Sequence, residues 1–107
     1  MSKVIHQGEQ QIPHTVFDDP EAREVLRAWI AHGGLHMSFQ PSFWPNPSTW
    51  GIMIVDLMRH LARGYEQDGM LTYKEALERI RSGLDAEWEH PTDLGSTEPS
   101  TEKPSRH

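Results

Sequence analysis

The stretch from Asp18 to Tyr65 constrains the fold more than any other part of the chain. It joins an amphipathic segment, a Gly33-Gly34 pair, a short alternating segment, a loop rich in proline and a long apolar segment. Three of the four tryptophans, at positions 29, 44 and 50, lie inside it. This order predicts a helix, a strand, a stiff loop and a buried helix within one small domain.

The first predicted helix begins at Asp19-Pro20, because Asp is a favoured N-cap and Pro fits the first helical position. The apolar residues that follow are spaced as on one helical face. They are Ala22, Val25, Leu26, Trp29 and Ile30. Gly33 can supply the left-handed residue that commonly ends a helix, so the sequence predicts a helix that stops there.

The segment from Leu35 to Phe39 alternates apolar and polar residues, which is the period of a strand with one buried face. A single strand leaves its backbone groups unpaired and therefore needs a partner. That partner is either the lead-in before the first helix, the residues around Phe43-Trp44, or a second copy of the chain.

The second predicted helix begins at about Pro47 and ends at Tyr65 or Glu66. Ile52, Met53 and Val55 widen its apolar stripe over the first half, so we expect a central, buried helix.

The third predicted helix has the clearest start in the chain. The segment from Thr72 to Glu75 matches a capping box, and Pro91 ends the helical pattern.

These elements predict an α+β fold in which three helices pack with a short β element at residues 35–39. The alternative is an all-α three-helix bundle in which residues 35–39 are merely extended. Residues 18–90 are expected to form one compact domain after a partly ordered lead-in over residues 1–17. Residues 91–107 are rich in Pro, Thr, Ser, Gly and Glu, which predicts a disordered tail.

Composition excludes several classes of function. The formal net charge of −6 argues against nucleic acid and against an anionic membrane surface as partners. The absence of cysteine rules out disulfides, thiolate metal sites and a cysteine nucleophile. The longest apolar run, Ile52 to Val55, is far too short to span a bilayer. We expect a soluble cytoplasmic protein.

One group of candidate binding residues is polar. Asp56 and His60 are four residues apart on one helix face, with Arg59 beside them, and His36 lies on the predicted strand. A carboxylate beside an imidazole raises the pKa of the ring and orients it, as a general base or a metal ligand requires. The second His of a zinc-binding helix is missing, and an ordinary ion pair within the helix explains the same spacing. The sequence therefore assigns no catalytic residue, metal or cofactor.

A second group of candidates is aromatic. Phe43 and Trp44 lie on a loop stiffened by Pro41, Pro45 and Pro47. Aromatic side chains on such a loop form a platform for a flat ligand or a peptide. The alternative is that they pack inward and hold the loop on the second helix.

Several segments also match a known pattern. They are Asp19–Ala31, Leu35–Phe39, Trp44, Trp50–His60 and Leu77–Trp88. Together they resemble a family of short bacterial proteins, common in proteobacteria, that share a domain of unknown function (DUF 5076). The resemblance covers about residues 19–93 and implies a small cytoplasmic protein. It implies no activity, cofactor or catalytic residue.

The leading functional hypothesis is a non-enzymatic binding or protein-interaction module. Its partner is either another protein or a second copy, with a homodimer paired through residues 35–39 or the Trp44 loop. One alternative is a small metal-dependent or acid–base enzyme that uses His36, Asp56 and His60. Another is an auxiliary subunit of a larger assembly, whose acidic tail attracts a basic partner.

Overall fold

The computed structural model describes residues 6–92 and 96–99. Its regular elements are a 3-10 turn (His14–Asp18), β1 (Leu26–Ala31), β2 (Gly34–Phe39), a second 3-10 turn (Pro41–Phe43), α1 (Ser48–Gln67), α2 (Tyr73–Glu89) and β3 (Ser96–Pro99). The predicted α+β class is confirmed. The predicted number of helices is wrong, since two α-helices are found in the part of the chain that the structure describes.

The segment predicted as the first helix contains β1 instead. This strand pairs antiparallel with β2, from Leu26 opposite Phe39 to Ala31 opposite Gly34. The Asp19 carboxylate does accept a hydrogen bond from a nearby backbone N–H, that of Glu21 at 2.9 Å, but this bond closes a local turn. Because β2 needs a neighbour for its backbone groups, pairing prevails over the local helical pattern.

A two-residue turn joins β1 to β2. His32 and Gly33 both have positive φ angles, 52° and 75°. Two successive positive φ angles are typical of a type I′ turn, whose twist matches that of the flanking strands. Gly33 is therefore a hairpin residue and does not end a helix.

The sheet has the order β1-β2-β3, with β2 in the centre. β3 runs parallel to β2, with Ser96 opposite His36 and Pro99 opposite Phe39. The strand predicted at residues 35–39 therefore pairs within its own chain on both sides. The predicted disordered tail, residues 91–107, falls mostly outside the described residues, and residues 91–92 and Ser96–Pro99 are the parts of it that are described.

One face of the β1–β2 hairpin is entirely apolar. The register and the alternation of side chains place six residues on it. They are Leu26, Ala28, Ile30, Leu35, Met37 and Phe39. The opposite face carries the pair of Trp29 with His36.

Both α-helices begin close to their predicted starts, because polar side chains bind the free N–H groups there. The Asn46 side chain accepts a hydrogen bond from the Ser48 N–H at 3.1 Å. In the capping box of α2, the Thr72 hydroxyl accepts from the Glu75 N–H, and the Glu75 carboxylate accepts from the Thr72 N–H, each at 3.1 Å.

The buried core of the described residues is small. It consists of Met58 and Ala62 from α1 and Ala76 from α2. Leu57 and Leu61, which the sequence places in the core, are each 46% exposed. None of the described helices has both the length and the apolar character needed to cross a membrane.

The hairpin turn gives a first prediction. Replacing Gly33 by alanine should lower the free energy of unfolding by about 1–2 kcal/mol, because a Cβ is strained in the left-handed region. A Cβ at Gly33 would meet no atom within 4 Å, so the loss would come from the backbone alone. Urea unfolding measures it. His32→Asn is the control and should leave stability unchanged or raise it, since Asn tolerates this conformation. Equal losses in both variants would contradict the assigned turn.

The capping box gives a second prediction. Thr72→Ala should lower the free energy of unfolding by about 1 kcal/mol, as expected when a threonine cap is lost.

The same capping box makes stability depend on pH. Hydrogen bonds from the Thr72 backbone N–H, and then from its hydroxyl, lower the pKa of Glu75. The stabilisation that this carboxylate provides is therefore complete above its unfolded-state pKa of about 4.3 and is lost as the pH falls through its lower folded-state pKa.

Thermal unfolding of wild type and Glu75→Ala across pH 7 to pH 2 checks this sign. The stability difference between the two proteins should shrink below about pH 4.3. A difference that grew on acidification would show that the charged carboxylate is not the stabilising form.

Candidate functional site

Four aromatic rings form a continuous cluster between the end of β2 and the start of α1. The centroid distances are 5.1 Å for Phe43 to Trp44, 4.9 Å for Trp44 to Trp50 and 6.0 Å for Trp50 to Phe39, all with edge-to-face geometry. Edge-to-face packing is a preferred arrangement of aromatic rings. The Arg23 guanidinium lies 4.4 Å from the centre of the Phe43 ring.

This cluster links the sheet to the helices. Among the described elements, no Cα atom of a strand comes within 8 Å of a Cα atom of a helix, so side chains make the connection. The structure therefore places the candidates Phe43 and Trp44 half-buried in a packed cluster, with Trp50 at its centre.

The polar candidates occupy two separate elements. A ring nitrogen of His36, Nε2, lies 3.0 Å from the Ala31 carbonyl oxygen. On α1, His60 Nδ1 lies 2.8 Å from the backbone oxygen of Asp56, so the ring contacts the main chain rather than the carboxylate. Arg59 is exposed on the same helix.

These residues are not assembled into one centre. His36 lies on β2, whereas Asp56 and His60 lie on α1. Within residues 6–92 and 96–99, no three His, Asp or Glu residues are grouped so as to hold a metal ion.

A groove of about 890 Å³ lies between the lead-in and β1. Arg27 forms an ion pair there with Glu9 at 2.7 Å and another with Glu24 at 3.1 Å. Hydrogen bonding to Glu24 is the main cause that raises the pKa of Arg27 above its ordinary value. The His6 and Trp29 rings meet edge to face at 5.0 Å. The sequence analysis did not predict this groove, because it assigned Arg27 to a helix and Glu9 to a partly ordered lead-in.

The helices α1 and α2 pack together as a helix pair. On each helix, a flank lies on either side of the contact between them, and helical periodicity assigns residues to these flanks. Trp50, Ile54, Leu57 and Leu61 are spaced by four, three and four residues, so they share one flank of α1. Trp50 on this flank contacts Phe39 of β2. We call it the sheet-side flank.

The other flank of α1 carries Ile52, Val55, Arg59 and Arg63. On α2, the corresponding flank carries Tyr73, Leu77, Leu84 and Trp88. The Arg63 guanidinium lies 5.4 Å from the centre of the Tyr73 ring, which brings these two flanks to the same side of the helix pair.

We name the apolar patch on this side the outer face, defined as Ile52, Val55, Leu84 and Trp88. All four of its side chains are exposed, and the exposed fraction reaches 64% for Ile52 and 79% for Trp88. The sequence indicated this surface only indirectly, through the widened apolar stripe on the second predicted helix.

Comparison with protein families gives one match. The pattern of a domain of unknown function (DUF5076) matches residues 9–92. The chain belongs to the DUF5076 family. The resemblance noted from the sequence is therefore confirmed, and it extends further into the lead-in than expected. No curated protein is similar enough to count as a match.

This DUF5076 chain is also similar to a solved structure from the photosynthetic bacterium Rhodopseudomonas palustrus CGA009, described as "a putative pyruvate dehydrogenase". The two are 41% identical, with a TM-score of 0.66. The alignment covers 87% of this chain and 95% of the other. The likeness therefore extends over nearly the whole of both chains.

The aromatic cluster gives a third prediction. In the DUF5076 chain, Trp50→Ala should lower the free energy of unfolding by roughly 2 kcal/mol, less than for a fully buried tryptophan because Trp50 is half-buried. Urea unfolding followed by circular dichroism measures the loss. Phe17→Ala is the control and should have little effect, since Phe17 is 71% exposed. Equal stability of the two variants would show that the cluster does not join the sheet to the helices.

Proposed function

We propose that this DUF5076 protein is a protein-interaction module with no catalytic activity of its own. The observation that carries the proposal is the apolar surface on both flanks of the helix pair. Eight large apolar or aromatic side chains of α1 and α2 are more than one-third exposed. They are Ile52, Ile54, Val55, Leu57, Leu61, Tyr65, Leu84 and Trp88.

Surface of this kind favours a binding role. Single exposed hydrophobic residues are normal on soluble proteins, whereas contiguous apolar patches with polar surroundings mark interaction sites. Arg59 is four residues from Val55 and therefore borders the outer face. It offers a polar contact at the edge of a bound partner, and Asp56 and His60 extend the polar surface around the helix.

The distribution of the polar candidates supports the same proposal. Acid–base or metal chemistry needs side chains within hydrogen-bonding or coordination distance of one reacting centre. His36 is held against its own hairpin, and His60 against its own helix, by contacts with backbone oxygens. Such contacts fix the rings locally and do not direct them toward a common ligand.

A second candidate function is an auxiliary subunit of an enzyme assembly. The description of the similar R. palustrus structure names a pyruvate dehydrogenase, and that structure aligns with this chain over almost its whole length. A subunit of this size would contribute binding surface to a larger enzyme. The net charge of −6 favours a basic partner surface, and the absence of cysteine fits the reducing cytoplasm.

Native mass spectrometry of the purified, untagged chain tests the proposed function. We expect complexes of two or more polypeptide chains without a retained metal or small molecule. The triple variant His36→Ala, Asp56→Ala, His60→Ala should form the same complexes. A monomer that retains a zinc-sized or organic adduct, and loses it in the triple variant, would instead support the enzyme hypothesis.

A further inference from the structure

We propose that a second copy of this chain covers the outer face, so that two helix pairs pack against each other with their sheets on the outside. The inference rests on the proposed function and names its partner. It differs from the homodimer expected from the sequence, in which residues 35–39 or the Trp44 loop form the contact.

The position of the outer face within the fold is the first support. The Trp50–Phe39 contact joins the sheet to the sheet-side flank at the first turn of α1, and Ile52, Val55, Leu84 and Trp88 lie on the opposite flank. In a two-layer domain, the side of a helix layer that faces away from the sheet is expected to be polar. Here it carries two of the most exposed large hydrophobic residues of the described chain, Ile52 and Trp88. The outer face is therefore apolar surface that no described element covers.

The four side chains form one patch at the open end of the helix pair. Ile52 lies fifteen residues before the end of α1 at Gln67, and Trp88 lies fifteen residues after the start of α2 at Tyr73. Because both helices rise equally per residue, Ile52 and Trp88 lie at the same level. Val55 and Leu84 lie one turn closer to the connecting loop.

The area of this patch meets the lower bound for a specific dimer interface. An aliphatic side chain carries on the order of 100 Å² of apolar surface and a tryptophan about 200 Å², so the patch leaves roughly 300 Å² uncovered. A specific interface buries at least about 1,000 Å² in total, of which about 65% is apolar in homodimers. Each copy must therefore supply at least roughly 300 Å² of apolar surface, and the outer face reaches this lower bound before any surrounding residues are added.

The charges beside the patch permit self-association. Arg81 lies three residues before Leu84 and forms an ion pair with Asp85 at 3.1 Å. Across the helix pair, Arg63 stacks on Tyr73, and Glu66 accepts a hydrogen bond from the Tyr73 N–H at 3.1 Å. Side chains of both signs therefore border the outer face, with Arg59, Arg63 and Arg81 against Glu66 and Asp85, so the face carries no block of like charge.

The small core explains why the partner is a copy of the chain. The described residues bury only Met58, Ala62 and Ala76, so the apolar surface of the helix pair needs cover whenever the protein is folded. A second copy is present wherever the chain is made. A twofold interface also uses the same patch on both subunits, so each hydrophobic residue contributes twice.

Sedimentation velocity of the full chain over a wide concentration range tests the inference. We expect a dimer for the wild type. Trp88→Glu should raise the dimer dissociation constant about 100-fold or more, since a charged residue would replace a central aromatic anchor in both copies. Phe17→Glu is the control, because Phe17 is similarly exposed at 71% but lies outside the helix pair, and it should remain dimeric.

Cross-linking provides a second measurement that does not rely on disrupting the interface. The chain has no cysteine, so Ile52→Cys and Leu57→Cys each introduce a single thiol. A short bis-maleimide should link two copies of the Ile52→Cys variant, on the outer face. It should not link the Leu57→Cys variant, on the sheet-side flank.

The outcomes separate the inference from the proposed function. If Trp88→Glu remains a dimer, or Leu57→Cys cross-links and Ile52→Cys does not, then the outer face is not the dimer contact. A folded wild-type monomer at every concentration would also overturn the inference. In the first two cases the proposed function stands, because complexes still form through another surface and the His36, Asp56 and His60 variant still tests the enzyme hypothesis. A monomer at every concentration would contradict the complexes expected under the proposed function as well.

Discussion

The two helices, α1 and α2, bury only a small part of their apolar surface against each other. The rest of the structure depends on this constraint. α1 is apolar on both flanks, but Met58 and Ala62 are its only buried residues in the described chain. The sheet is joined to one flank through Trp50 at the first turn of α1, and Leu57 and Leu61 farther along that flank remain 46% exposed. The outer face has no corresponding neighbour within the described chain. A small domain buries a low fraction of its surface, so association is an effective source of further stability.

The polar and aromatic residues fit this interpretation better than a catalytic one. Trp44 and Phe43 are engaged with Trp50 and Arg23, which gives them a role in holding the loop between the sheet and α1. The His36 ring is bonded to its own hairpin, and the His60 ring is bonded to its own helix. What remains accessible on the helix pair is apolar surface edged by charged side chains, as the proposed interaction role requires.

The sequence predicted those parts of the fold that depend on local interactions. In α1 and α2, a polar side chain, Asn46 or Thr72, accepts a hydrogen bond from a backbone N–H group at the start of the helix. Both helices begin close to their predicted starts. The β1 strand was missed because its conformation is set by pairing with β2, and the spacing of Leu26, Trp29 and Ile30 also fits a helix. The ring cluster around Trp50 and the groove beside Arg27 depend on contacts between distant elements, which spacing along one chain does not reveal.

Fluorine NMR of the chain labelled with 5-fluorotryptophan tests the central claim most directly. The four tryptophans give four signals, and Trp88→Phe identifies that of Trp88. The solvent isotope shift between H₂O and D₂O then reports whether this ring is in contact with water. We predict a Trp88 ring shielded from water at high protein concentration that becomes exposed on dilution, while Trp50 remains unchanged. A Trp88 ring equally exposed at every concentration would show that no second copy covers the outer face.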